Sequence, residues 1–335
     1  MKKFRRPSRC GRCFYNCENE KTHGFFYRSA KMLLQSLSLF RSNPQTGQAN
    51  WIGKYCPLSC SIHPIITWIG HASFLVQVGG VNILLDPIFG DVALLYKRIL
   101  PPGVKLEQMP KIDYVLISHN HIDHMDASTL CAIKDKNPDV MILVPQGDKA
   151  WFDKRNFKNC CEHMWWDQRS FDLPGEEPAK IKFSFLPAAH WSQRGIFDKN
   201  KSLWGSWMIE CSGSHIYFGG DSYYDSHYLE IAQAFPIIDV ALLPVGPCEP
   251  HALLKDWHLD AAEAGRAFLE LGAKHMVPMH WGVYAFGVEH FDSPIKLIQQ
   301  WWDKHVDQLS EKKIHCVKVG QAVAFNDSAV DLKQE

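Results

Sequence analysis

No stretch of this chain approaches the roughly 20 consecutive apolar residues that a membrane-spanning helix needs, although 46% of its 335 residues are hydrophobic. Net charge is missing as well. Lys+Arg and Asp+Glu number 36 each, so no body-wide field draws the molecule to polyanions. There is no internal repeat and no low-complexity tract, which excludes a solenoid and a fibrous chain. The basic start, Met1 to Arg12, runs into polar, cysteine-rich sequence rather than an apolar core, and so does not read as a secretory signal. The expectation is an intracellular protein, cytoplasmic or bound to a membrane surface. The 11 cysteines form no compact framework. Cys131, Cys211, Cys248 and Cys316 stand singly, several in apolar stretches, as free thiols do in a reducing compartment. Cys10, Cys13 and Cys17, with His23 nearby, are clustered but lack the clean second pair of a zinc site.

What charge there is lies unevenly. Residues 1 to 41 hold ten Lys or Arg against Glu18 and Glu20, which leaves the remainder acidic. A basic arm reads either as a contact for an anionic surface or as a solvated tail. Within it Phe26, Ala30, Leu33, Leu37 and Phe40 share one helical face. That face suits an interfacial membrane helix or a helix packed on the main body. Residues 1–62 are therefore expected to be an appendage, 63–326 a catalytic domain and 327–335 a tail.

From Ile65 the pattern changes to short apolar runs. Strands are expected at 65–69, 73–78, 81–85, 114–118, 140–144, 181–186, 206–211, 215–219, 240–243 and 275–278. Helices are expected at 127–134, 226–234, 261–271 and 294–306. Asp126 and Ser293 are set as N-caps, and Gly272 as a C-terminal stop. Leading hairpins followed by strand–helix alternation give a mixed α/β fold with antiparallel content.

Ser118-His-Asn-His-Ile-Asp-His124 places four ligand-type side chains, His119, His121, Asp123 and His124, directly after an apolar strand. Imidazole and carboxylate are the donors that zinc and similar divalent ions accept. His190, Asp221 and His280 each end an apolar strand-like run, where α/β folds gather their chemistry. A buried core histidine would account for any one of them, but not for the series.

The order His-x-His-x-Asp-His, then a distant histidine, aspartate and histidine, resembles the metallo-β-lactamase superfamily over about residues 63–326. The resemblance implies an αββα sandwich, two mixed β-sheets flanked by helices. It also implies two Zn2+ ions, the first held by His119, His121 and His190 and the second by Asp123, His124 and His280, with Asp221 bridging both. Trp68-Ile-Gly-His-Ala-Ser-Phe74, Asp86-Pro-Ile-Phe89, His190-Trp191 with Arg194, Leu243-Pro-Val-Gly246, Glu249-Pro250, Trp257-His-Leu-Asp-Ala-Ala-Glu-Ala264 and Pro278-Met-His-Trp-Gly282 are similar to the N-acylphosphatidylethanolamine phospholipase D family. By that resemblance His258 lies near the substrate. Ile122 departs from it, since the family has tyrosine there, beside the metals and touching substrate.

The implied activity is phosphodiester hydrolysis by a metal-bridging hydroxide, with Asp123, Asp221 and His258 in the catalytic set. Ile122, His258 and Arg194 are the expected substrate contacts, Arg194 or Lys97-Arg98 taking the second phosphate oxygen. Expected partners are a phospholipid substrate, an anionic membrane surface and a second copy as a homodimer. Nucleic acid is disfavoured, because the acidic body has no aromatic–basic stripe. The alternative within the superfamily is hydrolysis of a lactone, carboxylic ester or sugar-phosphate lactone. A different class is a lipid-binding scaffold with a dead site, against which all seven ligand positions are filled.

Overall fold

The computed structural model describes residues 4–16, 46–92, 96–175 and 179–325. The Phe26–Phe40 stripe, Cys17, His23 and the tail 327–335 lie outside the described residues. The chain opens with a small hairpin, β1 (Ser8–Cys10) and β2 (Cys13–Tyr15), in which Cys10 faces Cys13 across the turn. The first large sheet takes β3 (Ile65–Gly70), β4 (Ser73–Val78), β5 (Val81–Leu85), β6 (Tyr114–Leu116), β7 (Met141–Pro145) and β8 (Asn159–His163). The second takes β9 (Gln168–Asp172), β10 (Lys180–Leu186), β11 (Ser206–Cys211), β12 (Ser214–Phe218), β13 (Val240–Pro244), β14 (His275–Met279) and β15 (Lys313–Ile314). A last strand, β16 (Ala322–Ala324), returns to pair with β3.

Both sheets have seven strands. The first runs antiparallel from β16 to β5 and parallel from β5 to β8. The second runs antiparallel from β9 to β12 and parallel from β12 to β15. The halves thus share a plan that their sequences do not advertise as a repeat.

Side-chain alternation explains why strands such as β4 read as unbroken apolar runs. Phe74 and Val76 belong to the large core that also holds Phe183, Phe185 and Trp207 of the second sheet, while Leu75 sits in a separate cluster on the other face. That outer cluster includes Leu130 and Ile133 of α1 (Ala127–Lys136) and Phe152 of α2 (Lys149–Asp153). On the second sheet, α3 (His227–Ala234), the short α4 (His251–Leu254), α5 (Ala261–Leu271) and α6 (Ser293–Lys304) complete the helical set. Of these, α5 packs on α3, α6 and β13. Close approach of α5 to α6 needs Gly265, because a Cβ there would come within 2.4 Å of the Trp301 ring.

The Asp126 carboxylate accepts a hydrogen bond from the Thr129 amide and caps α1. Gly272 closes α5 in the left-handed conformation at φ 68°, as glycine allows. Ser293 is the first residue of α6 rather than its cap. Asp292 holds the cap position without a side-chain bond to the helix amides, and Pro294 occupies the first turn, where its missing N–H costs nothing.

The described part of residues 1–62 makes specific contacts with the rest of the molecule. Phe14 and Asn16 are buried. Arg5 pairs with Asp225 at 2.6 Å and Glu230 at 2.7 Å, and Arg6 donates to the Trp165 carbonyl. Those two charges are engaged within the molecule. Gly53 bonds the Val319 carbonyl, and Gln77 bonds that of Leu58.

Candidate metal centre

Strand ends deliver the polar cluster. β6 leads to Ser118–His124, β10 to His190, β12 to Gly219-Gly220-Asp221 and β14 to His280. Gly220 makes this convergence possible. Its φ is +59°, and a Cβ would lie 2.7 Å from the Ser118 Cβ. Only glycine lets the Asp221 strand come this close to the His-rich loop.

His119 Nε2 and His190 Nε2 face His121 Nδ1 at 2.8 and 3.3 Å. The other nitrogens are tied outward. His119 Nδ1 bonds the Ser118 hydroxyl, which donates to Asp86, and His190 Nδ1 donates to the Trp257 carbonyl. His280 Nδ1 donates to the Gly246 carbonyl, and His124 Nδ1 to Asp86 Oδ2 at 2.8 Å. Each tether fixes the tautomer and turns a lone pair inward, the arrangement that metal-ligating histidines use. Asp123 Oδ2 lies 3.4 Å from His124 Nε2 and 4.0 Å from His280 Nε2.

Asp221 stands between the two groups. Its Oδ2 is 3.2 Å from His124 Nε2 and 3.1 Å from His280 Nε2, and 4.0 and 3.9 Å from the inward nitrogens of His119 and His190. His121 Nε2, His124 Nε2, His280 Nε2 and Asp221 Oδ1 are buried without a hydrogen-bond partner of good geometry. Buried polar atoms left so are costly unless something else satisfies them. The donor set fits divalent cations: His119, His121 and His190 form one group able to hold an ion, and Asp123, His124 and His280, with His71, form another.

The electrostatics agree. Burial, reinforced by neighbouring histidines, pushes His71 and His190 down to about 3 and His121 to about 4. These rings are neutral at pH 7, as ligands must be. Burial also opposes charge on His124, but Asp221 and Asp123 outweigh it and raise that group well above its ordinary value. Asp123 and Asp221 are held well below theirs, because the histidines outweigh the effect of burial. Carboxylates that stabilise a proton on His124 also favour a cation in its place.

The cluster floors an open groove of about 400 Å³. Ile122 lines it and is 40% exposed. His258 lines it too, its Nδ1 3.7 Å from Asp221 Oδ2 and its ring stacked on His280. Arg194 borders the groove, but its Nη1 is committed to the carbonyls of Asn120 and Met125, at 3.2 and 2.6 Å. It clamps the His-rich loop from both sides. Lys97 pairs with Asp91, and Arg98 is bonded to the carbonyls of Ile88 and Leu100 and to the Tyr284 hydroxyl. Neither lines the groove.

Three residues of the site were not singled out in the sequence. His71 Nε2 bonds Asp123 Oδ2 at 2.9 Å, and Asp86 serves both His124 and Ser118. Both end apolar strands, the signal that His190, Asp221 and His280 carry, and so could have been found. His71, Asp86 and His280 also take positive φ, at 57°, 38° and 61°, a strained backbone that clusters at functional sites. The third is Asn16, whose amide pairs with the His190 backbone. Nothing in its local sequence signals it.

A family model for the beta-lactamase superfamily domain matches residues 81–281. The chain belongs to the β-lactamase superfamily and has its metallo-hydrolase fold, two mixed sheets with flanking helices. Within it, the chain is 31% identical over 273 residues to the N-acyl-phosphatidylethanolamine-hydrolyzing phospholipase D 1 of Caenorhabditis elegans, covering 78% of this chain and 76% of that one. It is 29% identical over 285 residues to the mitochondrial N-acyl-phosphatidylethanolamine-hydrolyzing phospholipase D of Saccharomyces cerevisiae, covering 82% of this chain and 57% of the longer yeast protein. A metallo hydrolase from the archaeon Ignicoccus hospitalis shares the fold at a TM-score of 0.61 and 22% identity, over 79% of this chain and 99% of that one.

Proposed function

We propose that this protein is a two-metal phosphodiesterase of the phospholipase D type, acting on N-acylphosphatidylethanolamine-like lipids. His119, His121 and His190 would hold one ion, and Asp123, His124 and His280 the other. The observation that carries the reading is the position of Asp221 Oδ2, within 3.1 to 4.0 Å of inward nitrogens from both groups. From that position the Asp221 carboxylate would serve both groups of ligands. Bound there, a pair of divalent ions, zinc by the chemistry of the donors, supplies Lewis acidity and makes water nucleophilic at neutral pH.

The chain's own residues set the geometry of that reaction. Asp86 and Ser118 orient His124 and His119, and His71 orients Asp123. His258, which burial holds down to about 3, is neutral and is suited to donating or accepting a hydrogen bond at the phosphoryl group rather than to charge pairing. Ile122 and Trp191 give the groove apolar walls that suit the acyl and glycerol portions of a lipid. The phospholipid substrate itself is supported by the names of the two relatives.

The test is product analysis on vesicles of glycerophospholipids with and without N-acylation. Release of a phosphate monoester is expected, together with about two metal ions per chain. Turnover of a lactone with no phosphate monoester from any lipid would overturn the proposal.

A further inference from the structure

The loop bordering the groove between His190 and Ser202 carries a feature that catalysis does not use. Its base is closed by hydrogen bonds from the Asn200 amide to the Ser192 carbonyl and from the Lys201 amide to that of Asp198. The Asp198 carboxylate accepts from the amides of Arg194 and Gly195, at 3.2 and 2.8 Å. Phe14 braces the base by donating its amide to the Asn200 carbonyl. This built turn ends at Gly195, the last groove-lining residue of the loop, and projects the next two side chains outward.

Those two are Ile196 and Phe197, 83% and 85% exposed. They are the most exposed large hydrophobic residues among those described, the next being Val306 at 63%. Single exposed apolar residues need no explanation. An adjacent pair held at a loop tip beside a groove does.

We propose that Ile196 and Phe197 dock the protein on a lipid bilayer, entering the headgroup–acyl boundary and presenting the groove mouth to the membrane. The proposal rests on the phospholipid reading of that groove. Charge supports an anionic lipid surface over a basic or neutral partner, and the exposed apolar pair supports lipid over an acidic protein: residues 191–201 hold Arg194, Lys199 and Lys201 against Asp198, whose carboxylate is spent on the loop's own amides. Lys199 extends over Trp191 at 4.7 Å from the ring centroid, and Trp191 faces Trp257 at 6.0 Å. Paired indoles beside basic groups match the polar–apolar boundary of a bilayer.

The test is flotation of the full chain with phosphatidylcholine vesicles, with and without phosphatidylserine, at high ionic strength so that other basic segments are screened. The Ile196→Ser/Phe197→Ser variant should lose at least about tenfold in partitioning, and Phe197→Ser alone a smaller factor. Val306→Ser, in the turn after α6 and outside the groove lining, should keep wild-type partitioning. All three should unfold at the wild-type temperature, since the side chains are exposed. Partitioning of the double variant within about twofold of wild type would overturn the proposal, as would an equal loss from Val306→Ser. If the double substitution dissociates a dimer and leaves vesicle binding intact, the tip faces a second copy and the proposal fails. Flotation needs no turnover. A protein that floats through this tip but releases no phosphate monoester keeps the docking surface and overturns only the assigned reaction.

Discussion

The carboxamide of Asn16 pairs with the backbone of His190, 174 residues away in the chain. Its Nδ2 donates to the His190 carbonyl at 3.1 Å, and its Oδ1 accepts from the His190 amide at 3.2 Å and from Trp204 Nε1 at 2.8 Å. Asn16 therefore satisfies the main-chain amide and carbonyl of His190 beyond the end of β10, and fixes the main chain from which a candidate ligand projects. The ring of His190 is fixed separately by the Trp257 carbonyl.

Asn16→Ala should weaken metal binding at the His119–His121–His190 group by roughly ten- to a hundredfold, the usual result of removing an outer contact to a ligand. It also leaves buried His190 groups unpaired, at about 1–3 kcal/mol. Chelator competition on the folded protein measures the first effect, and thermal unfolding at saturating metal the second. Asn16→Asp, which keeps the acceptor and loses the donor, should fall between. Affinity equal to wild type in Asn16→Ala would make the contact structural only.

Asp221→Asn should cut turnover to less than about a tenth, because members of a coupled site fail together. The neutral amide should also lower metal content from about two ions per chain towards one. Elemental analysis beside the activity assay separates loss of an ion from loss of chemistry. Full metal content with full activity would remove Asp221 from the bridging position.

Asp148 gives a prediction for pH. Burial lifts its carboxyl from 3.8 to about 7, against hydrogen bonding from Asn120 and the charge of Arg194. The folded protein thus keeps a proton on Asp148 that the unfolded chain has lost above pH 3.8. Stability falls as pH rises from near 4 to near 7, by at most ~1.4 kcal/mol per pH unit, and is flat above. Asp148→Asn should flatten this slope, so that the variant gains on wild type as pH increases through the window. Denaturant midpoints of both proteins across that range are the measurement. Parallel curves would mean that Asp148 is ionised throughout.

Much of this was legible because the informative signals are local. Ten apolar-run strands with buried faces, β3–β7 and β10–β14, and the capped helices α1 and α5, announce themselves by periodicity and end residues. The strands β8 and β9 did not. β9, Gln168-Arg-Ser-Phe-Asp172, is a mostly exposed edge with no apolar alternation, and neighbouring strands rather than its own residues define it. Seven metal-capable residues could be listed from the chain and divided by resemblance, but the groups that orient them could not be told from further ligands. His71 and Asp86 end strands just as His190 and Asp221 do, and only distances separate an orienting group from an inward-facing one. The charge of Arg194 is visible in a sequence, while the two carbonyls that hold its Nη1 at the groove wall are not.

The last prediction concerns what the groove reads. Ile122 follows His121 and precedes Asp123, lies 40% exposed in the groove wall, and has no polar atom in its side chain. The phospholipase family that this chain resembles carries a tyrosine at the matching position, a donor beside the metals. A site that bonds an amide rejects a substrate lacking it, since an unpaired buried polar group is costly, whereas a site without the donor discriminates less. The wild-type protein is therefore expected to favour N-acylated over ordinary phosphatidylethanolamine by a modest factor in kcat/KM. Ile122→Tyr should raise that ratio about tenfold, the value of one added hydrogen bond of roughly 1.4 kcal/mol. Metal content should stay unchanged, because Ile122 supplies no ligand. Flanking ligands make the backbone here sensitive, so metal content is measured first, and the ratio is interpreted only for fully loaded protein. A high wild-type ratio that Ile122→Tyr does not move would mean that another wall of the groove, whose polar groups include His258, Trp257 and Gln193, reads the amide.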